Sequence, residues 1–398
     1  MAKLADAQDL GSCPERGVGS IPSARTKSAG RAWVRHDDVV NVGDLSTPAL
    51  VVDRSAFEHN ISTMSTTRPG SALRPHVKAH KCSALAAKQR DAGHETFTVA
   101  TPREAIGLAV AGLGSDVLVA NEVVDPRRLG DLARVASWPD TRITIAVDSP
   151  DTIDAAAEAG LRHVVIDVNV GLPRCGCAPE NARDLAERAA RAGLEVRGVM
   201  GYEGHLMTAP DVEKPSKVLA SMTLLVEAFD SLRDIGGDGC TIVSAGGTGT
   251  FWCFDRAHPV LGRINEVQAG SYALMDSHYG AQGLPFRQSL FVVGTVISRT
   301  DSWAVIDVGL KSLGMDHGNP TIAGAKVWFC SDEHTTFSAD EGNPLPRVGQ
   351  RVAVVPAHVD PTVAMHDRMH LVDGFVASSG FDLGSSVIDT WLVDLRGW

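Results

Sequence analysis

From residue 47 onward, short apolar runs alternate with longer stretches in which apolar residues return every three or four positions. The first run, Thr47-Pro48-Ala49-Leu50-Val51-Val52-Asp53, reads as extended, and Asp53 can cap a helix marked by Ala56, Phe57, Asn60, Ile61 and Met64. Eight more runs follow, at 72–77, 96–100, 116–120, 142–147, 163–168, 196–201, 241–244 and 266–270. Most are succeeded by Ala- and Leu-rich stretches such as 180–192 and 218–235. Eight strand–helix repeats of roughly 25 residues each predict closure into a (β/α)8 barrel. A doubly wound open sheet is the alternative, but no Gly-x-Gly-x-x-Gly follows an early strand. After about Gly283 the rhythm changes: 289–297, 302–306, 326–330, 351–355 and 374–377 read as strands with Gly, Pro, Asp and Asn between them and little helical signal. The expected fold class is therefore α/β, a (β/α)8 TIM-type barrel followed by an antiparallel β domain. The barrel is expected over 33–283 and the β domain over 284–398. Residues 1–32, rich in Gly, Ser, Ala and Arg without apolar period, are expected to form a flexible extension.

Composition narrows the partners. At 398 residues, 44% apolar and 21% charged, the chain can bury a large core and supports two domains. A net charge of −11 argues against nucleic acid and anionic membrane surfaces, which leaves a small molecule as the expected partner. The seven cysteines are scattered, and Cys175-Gly176-Cys177 lacks the two-residue spacer of a zinc or redox pair, so they are read as reduced thiols. No run approaches the ~18 apolar residues of a spanning helix, and the N-terminus lacks the apolar core of a signal peptide. The expectation is a cytoplasmic protein.

The richest chemistry lies in Leu73-Arg74-Pro75-His76-Val77-Lys78-Ala79-His80-Lys81-Cys82, where four basic or ionisable side chains surround Lys78. A lysine crowded by cations and partly desolvated loses its proton readily, as an amine must to attack a carbonyl or hold an aldehyde as a Schiff base. Ser244-Ala245-Gly246-Gly247-Thr248-Gly249-Thr250 follows the seventh barrel run, and Ala269-Gly270-Ser271-Tyr272 the eighth. Glycines there let backbone N–H groups approach an anion, hydroxyls add donors, and phosphate sites on this fold often lie after strands seven and eight. A Schiff-base lysine opposite a phosphate cup describes a site for pyridoxal 5'-phosphate.

On these motifs the chain resembles the fold-type III pyridoxal-phosphate enzymes, and within them the D-threonine aldolase and D-serine dehydratase family, over residues 47 to about 380. The stretch Arg74-Pro75-His76-x-Lys78-x-His80-Lys81 matches the family's cofactor-lysine motif, which implies that Lys78 holds the cofactor. The resemblance of 167–176 implies that Arg174 contacts the cofactor's phenolic oxygen. In Gly201-Tyr202-Glu203-Gly204-His205 it implies a catalytic histidine, His205, although the spacing is shorter than in the best-known D-threonine aldolases. Gln268 falls where alanine racemases carry an arginine toward the pyridine nitrogen, so Gln268 or Tyr202 would be a neutral partner. Ser244, Gly246, Gly247, Thr248, Gly270, Ser271 and Tyr272 complete the expected cofactor contacts.

In the β domain, Val355-Pro356-Ala357-His358-Val359-Asp360-Pro361-Thr362 places His358 and Asp360 two apart, on one face of an extended segment. The resemblance puts a metal pair here; the dehydratases more often show His-x-Cys, while an imidazole–carboxylate pair suits Mn²⁺ or Mg²⁺ better than Zn²⁺. Asp360 therefore favours an aldolase that cleaves a D-β-hydroxy-α-amino acid, of the D-threonine or 3-hydroxy-D-aspartate type, to glycine and an aldehyde. The alternatives are a D-serine or D-3-hydroxyaspartate dehydratase, an amino-acid racemase, and a non-catalytic pyridoxal-phosphate-binding protein. A racemase would be expected to bring a tyrosine from the β domain, yet Tyr202, Tyr272 and Tyr279 all precede it. Arg103, Lys311 and His334 are candidate contacts for a second substrate carboxylate, and the resemblance implies a homodimer.

Overall fold

A computed structural model of the chain describes residues 40–376, 380–381 and 383–398. The extension expected over 1–32, with Cys13, lies outside the described residues, as does the last position of the run 374–377. The described cysteines, Cys82, Cys175, Cys177, Cys240, Cys253 and Cys330, are free thiols.

Strand β1 (Ala49–Asp53) leads into α1 (Arg54–Thr67), whose first turn is capped by Asp53 accepting from Ala56 N–H at 3.1 Å. Then β2 (Phe97–Val99), β3 (Val117–Val119), β4 (Ile143–Val147), β5 (His163–Asp167), β6 (Glu195–Gly201), β7 (Ile242–Ala245) and β8 (Glu266–Val267) pair in chain order as one parallel sheet. Between them run α2 (Ser83–Asp91), α3 (Pro102–Val110), α4 (Pro126–Ala136), α5 (Pro150–Glu158), α6 (Ala182–Arg191) and α7 (Lys214–Gly236). Helices α3, α4 and α5 start alike: Thr101, Asp125 and Ser149 cap them, and each is followed by proline, whose missing N–H costs nothing in a first turn.

The first stave, expected at 72–77, is irregular. Pro75 has no N–H to give a ladder, so the segment pairs through single parallel bridges, Leu73 to Val267 of β8 and His76 to Thr98 of β2. Arg74 N–H donates to Val267 O at 2.9 Å and Thr98 N–H to Pro75 O at 2.9 Å, and these bonds close the seven strands into a barrel. Strand alternation sorts the core into two layers: Val117 and Val119 face the helices, while Leu118, Ala146, Val165, Met200 and Ile242 meet inside the barrel. Nearer the strands' N-terminal ends, buried Arg74 is bonded bidentately to Glu266 and also to Asp116, which binds Arg197 in turn. Removing one partner from such a buried network typically costs ~3–5 kcal/mol.

The second sheet closes on itself. After α8 (Ser277–Gly280) come β9 (Leu290–Arg299), β10 (Ala304–Ile306), β11 (Thr321–Ile322), β12 (Ala325–Cys330), β13 (Thr335–Ala339) and β14 (Arg351–Val355). Their order is β10-β13-β12-β11-β14-β9, with β9 returning to β10, and every pairing in the ring is antiparallel. Helix α9 (Val359–Met365) and strands β15 (Arg368–Val372), β16 (Phe375–Val376), β17 (Gly380–Phe381) and β18 (Val387–Leu392) complete the chain. The run 47–53, expected within the barrel region 33–283, belongs instead to this sheet: β1 pairs antiparallel with β9 and parallel with β15. All five residues of β1 are buried, which suits a strand covered on both faces. Among the described residues no helix is long and apolar enough to cross a membrane.

Candidate active site

The C-terminal ends of the barrel staves open on a cavity of about 610 Å³, in the range of small-molecule sites. Lys78 lines it from the short turn Val77–Ala79, just after the first stave. The turn is held by His76 Nδ1 accepting from Lys78 N–H at 3.5 Å. Burial, then the charges of Lys78 and Lys81, push His76 well below the usual histidine range, so it stays neutral. Arg174 reaches the cavity from the loop after β5, its guanidinium 5.4 Å from the centre of the Tyr202 ring. That loop is shaped by Asn169, which accepts from Gly171 N–H at 2.9 Å and donates to Leu172 O, and by Gly176 at φ +99°, where a Cβ would lie 2.6 Å from Asn169 N.

The cup after β7 and β8 is built on a buried carboxylate. Glu203, two residues past the end of β6, accepts from Gly246 N–H at 3.2 Å and Thr250 Oγ1–H at 2.6 Å, and burial pushes its pKa up. Gly247 N–H donates to Thr250 Oγ1, and Tyr272 N–H donates to Thr248 Oγ1 at 3.1 Å, which joins the two loops. Among the described residues the N–H groups of Thr248, Gly270 and Ser271, all lining the cavity, have no protein acceptor. Unsatisfied backbone donors converging on a cavity wall suit a phosphate group. With Lys78 and Gln268 lining the same cavity, Gln268 steadied by donating to Ser244 Oγ at 2.9 Å, the residues fit pyridoxal phosphate.

The structure brings together Lys78, Arg174, Tyr202, Gly246, Gly247, Thr248, Gln268, Gly270, Ser271, His358 and Asp360. Four expectations change. Gly246 and Gly247 shape the cup, but their N–H groups are already bonded to Glu203 and Thr250. Ser244 stands behind Gln268. Tyr272 turns its phenol into the core, where Gln89 Nε2 donates to it at 3.0 Å, because Phe286 and the helix-side layer offer it apolar cover. His205 is exposed and outside the cavity lining; its ring lies over Gly171, where any Cβ would come within 2.9 Å of it. The candidates for a second carboxylate are also elsewhere: Arg103 bonds Arg396 O and Asp394 O, Lys311 pairs with Glu333, and His334 is exposed.

His358 and Asp360 are close, though not on an extended segment. His358 occupies the position just before α9 and Asp360 lies in the helix's first turn, where a carboxylate complements the helix dipole and Pro361 is tolerated. His358 Nε2 is 4.0 Å from Asp360 Oδ1, and Asp360 Oδ2 is 3.8 Å from Lys78 Nζ. Asp360 Oδ1 is buried with no hydrogen-bond partner, an expensive state for a carboxylate oxygen unless a cation takes it. The pair therefore fits a divalent ion. Asp276 ties this segment to α8, accepting from Val359 N–H and Tyr279 N–H, both at 2.9 Å.

Asn121, His278 and His317 also line the cavity, and no motif singles them out; His76, from the Lys78 motif, and Tyr279 line it as well. Tyr279 comes from the barrel region, and burial holds its phenol protonated, a poor racemase base. The sequence Asp316-His317-Gly318 was the available signal for His317, but nothing local placed it beside His358.

Comparison with known proteins gives a consistent picture. The alanine racemase N-terminal domain family matches residues 52–278, and a serine dehydratase domain matches 289–372. A D-threonine aldolase of Arthrobacter sp is 33% identical over 381 residues, covering 89% of this chain and 93% of the relative. A 3-hydroxy-D-aspartate aldolase of Paracoccus denitrificans (strain Pd 1222) is 32% identical, covering 81% and 88%. The crystal structure of D-threonine aldolase from Filomicrobium marinum superposes with a TM-score of 0.81 at 33% identity, over 90% of this chain and 98% of that one.

Proposed function

Because this chain belongs to the fold-type III pyridoxal-phosphate family that joins an alanine racemase N-terminal-type barrel to a serine dehydratase-type domain, we propose that it is a metal-assisted aldolase. It cleaves a D-β-hydroxy-α-amino acid to glycine and an aldehyde. The observation that carries this reading is the approach of Lys78 Nζ to Asp360 Oδ2 at 3.8 Å, which puts the amine and the His358–Asp360 pair in one cavity.

Lys78, Arg174, Gln268 and the N–H groups of Thr248, Gly270 and Ser271 would hold pyridoxal phosphate, which supplies an acceptor for the electrons of the breaking Cα–Cβ bond. His358 and Asp360 would hold Mn²⁺ or Mg²⁺, which supplies a Lewis acid beside the β-hydroxyl. The chain's own side chains do the rest. Arg174, braced on Tyr202, fixes the ring of the cofactor. His317, whose ring lines the cavity and is held below the usual histidine range chiefly by its partial desolvation there, takes the β-hydroxyl proton in place of the outlying His205. Asp360 favours the aldolase over the dehydratase alternative, since a carboxylate rather than a thiolate stands beside His358.

The cavity wall selects between the two aldolase substrates. Among the described residues only Lys78 and Arg174 bring an ammonium or guanidinium to it, and both belong to the cofactor; the outer wall is formed by His278, Tyr279 and His317. A β-carboxylate there would find no ammonium or guanidinium partner of its own, so a neutral β-substituent, as in D-threonine, is preferred. The enzyme works as a cytoplasmic homodimer in this reading. The test is kcat/KM for D-threonine against 3-hydroxy-D-aspartate: at least about tenfold in favour of D-threonine is expected, the loss of one charged contact being worth 1.4 kcal/mol or more. A preference for the dicarboxylate would overturn the assignment.

A further inference from the structure

Resting on the reading of His358 and Asp360 as a metal pair, we propose that Asp316 is a positioning residue for that ion: it holds the His358 ring and tautomer so that Nε2 is presented to the metal. Asp316 Oδ2 is 2.7 Å from His358 Nδ1. A carboxylate only accepts, so Nδ1 carries the hydrogen, and in the neutral imidazole that a metal ligand has to be, the metal-facing Nε2 keeps its lone pair. That nitrogen faces Asp360 Oδ1, the buried oxygen without a partner.

The placement of Asp316 is built into the fold. Gly314 forms an antiparallel bridge with His358, its N–H donates to Thr362 Oγ1 at 2.8 Å, and Thr362 Oγ1–H donates to His358 O at 2.7 Å. A Cβ at Gly314 would lie 2.3 Å from Pro361 Cγ, so this approach of loop to helix requires glycine. Asp316, two residues on, is thereby carried to the imidazole. His317 completes the support by stacking: its ring lies 4.0 Å from that of His358 at an interplanar angle of 12°. In-plane lone pairs of two parallel stacked rings cannot converge on one ion. Asp316, His317 and His358 therefore form a cluster that looks like a ligand triad by distance alone, yet its geometry assigns only His358 to the metal.

The experiment is a Mn²⁺ titration of the full-length, pyridoxal-phosphate-containing protein, with free Mn²⁺ read by electron paramagnetic resonance. Wild type, Asp316→Ala, Asp316→Asn and His358→Ala are compared, with cofactor absorbance as the check on folding. Asp316→Ala is expected to weaken Mn²⁺ binding about 10–100-fold, as loss of an outer partner of a metal histidine does, and Asp316→Asn, which still accepts from Nδ1–H, to recover most of it. Asp316→Ala binding within about twofold of wild type while His358→Ala fails to bind would overturn the role of Asp316 alone. Asparagine as damaging as alanine would make Asp316 a direct ligand and also overturn it. Wild-type affinity retained by His358→Ala would remove the metal pair, and the proposal with it. Should Asp316→Ala not fold, the ¹⁵N shifts of His358 in metal-free wild type report the tautomer, and a hydrogen on Nε2 instead of Nδ1 contradicts the proposal.

Discussion

Gly246 sits at φ +82°, and a Cβ there would lie 2.6 Å from Phe254 Cε2, 2.9 Å from Phe254 Cζ and 3.2 Å from Val267 Cγ1. Gly246→Ala therefore meets two costs: ~1–2 kcal/mol for a left-handed backbone with a side chain and ~1–3 kcal/mol for overpacking. Phe254 has little freedom to yield, being buried with the Arg68 guanidinium 5.9 Å from its ring centre. In the cofactor-free protein the loop escapes by moving off Phe254, which also displaces the N–H of Thr248. Binding must restore the cup, so about 3 kcal/mol of strain appears as an on-the-order-of 10²-fold weaker cofactor dissociation constant. Gly247→Ala is the control, because its new Cβ meets chiefly the flexible Met207 side chain, Sδ at 3.0 Å. Titrating cofactor-free protein with pyridoxal phosphate by visible absorbance measures both. Gly246→Ala binding within about twofold of wild type, or Gly247→Ala proving the more damaging, would refute the strain argument.

Acid should destabilise the protein before its carboxylates titrate. Burial lowers His80 to about 4 and also lowers His76, His94 and His366, so these imidazoles stay neutral when folded but protonate when unfolded. Their stabilisation is full above pH ~6.5 and is lost as pH falls toward the folded values; His80 alone should account for about 2 kcal/mol between pH 6.5 and 5. Asp167, raised by burial and by Glu122, works in the opposite sense, so the comparison to make is urea unfolding at pH 7 and 5 for wild type and His80→Asn. The variant should lose less stability on acidification, and an equal loss would rule out His80 as the source. Steady-state kinetics separate the two histidines proposed as base: His317→Ala should lower kcat by about 10²-fold or more, and His205→Ala by far less, and the reverse order would return the role to the rim histidine.

Much of this site is legible because its parts are local. The Lys78 motif, the two small-residue loops after the seventh and eighth runs and the His358–Asp360 pair each lie within ten residues or fewer, and all come to one cavity. The parallel strands were readable because burial on both faces makes them nearly continuous apolar runs. What escaped depends on distant pairing. Thr47–Asp53 carries the same apolar signature as a barrel strand, and only its partners β9 and β15 assign it to the other sheet. Asp316 and His317 come to His358 through the bridge at Gly314, across 42 residues of chain. His205 has the residue type and the strand-end position of a catalytic base, but its direction is set by the turn Gly204–Leu206 and by the room above Gly171.

The most direct test of the account is product analysis of the purified protein with pyridoxal phosphate and Mn²⁺ on D-threonine, with Lys78→Ala and His358→Ala alongside. The account predicts equal amounts of glycine and acetaldehyde from the wild type, abolished by chelator and by either substitution. Ammonia and an oxoacid without glycine would contradict it and make the protein a dehydratase.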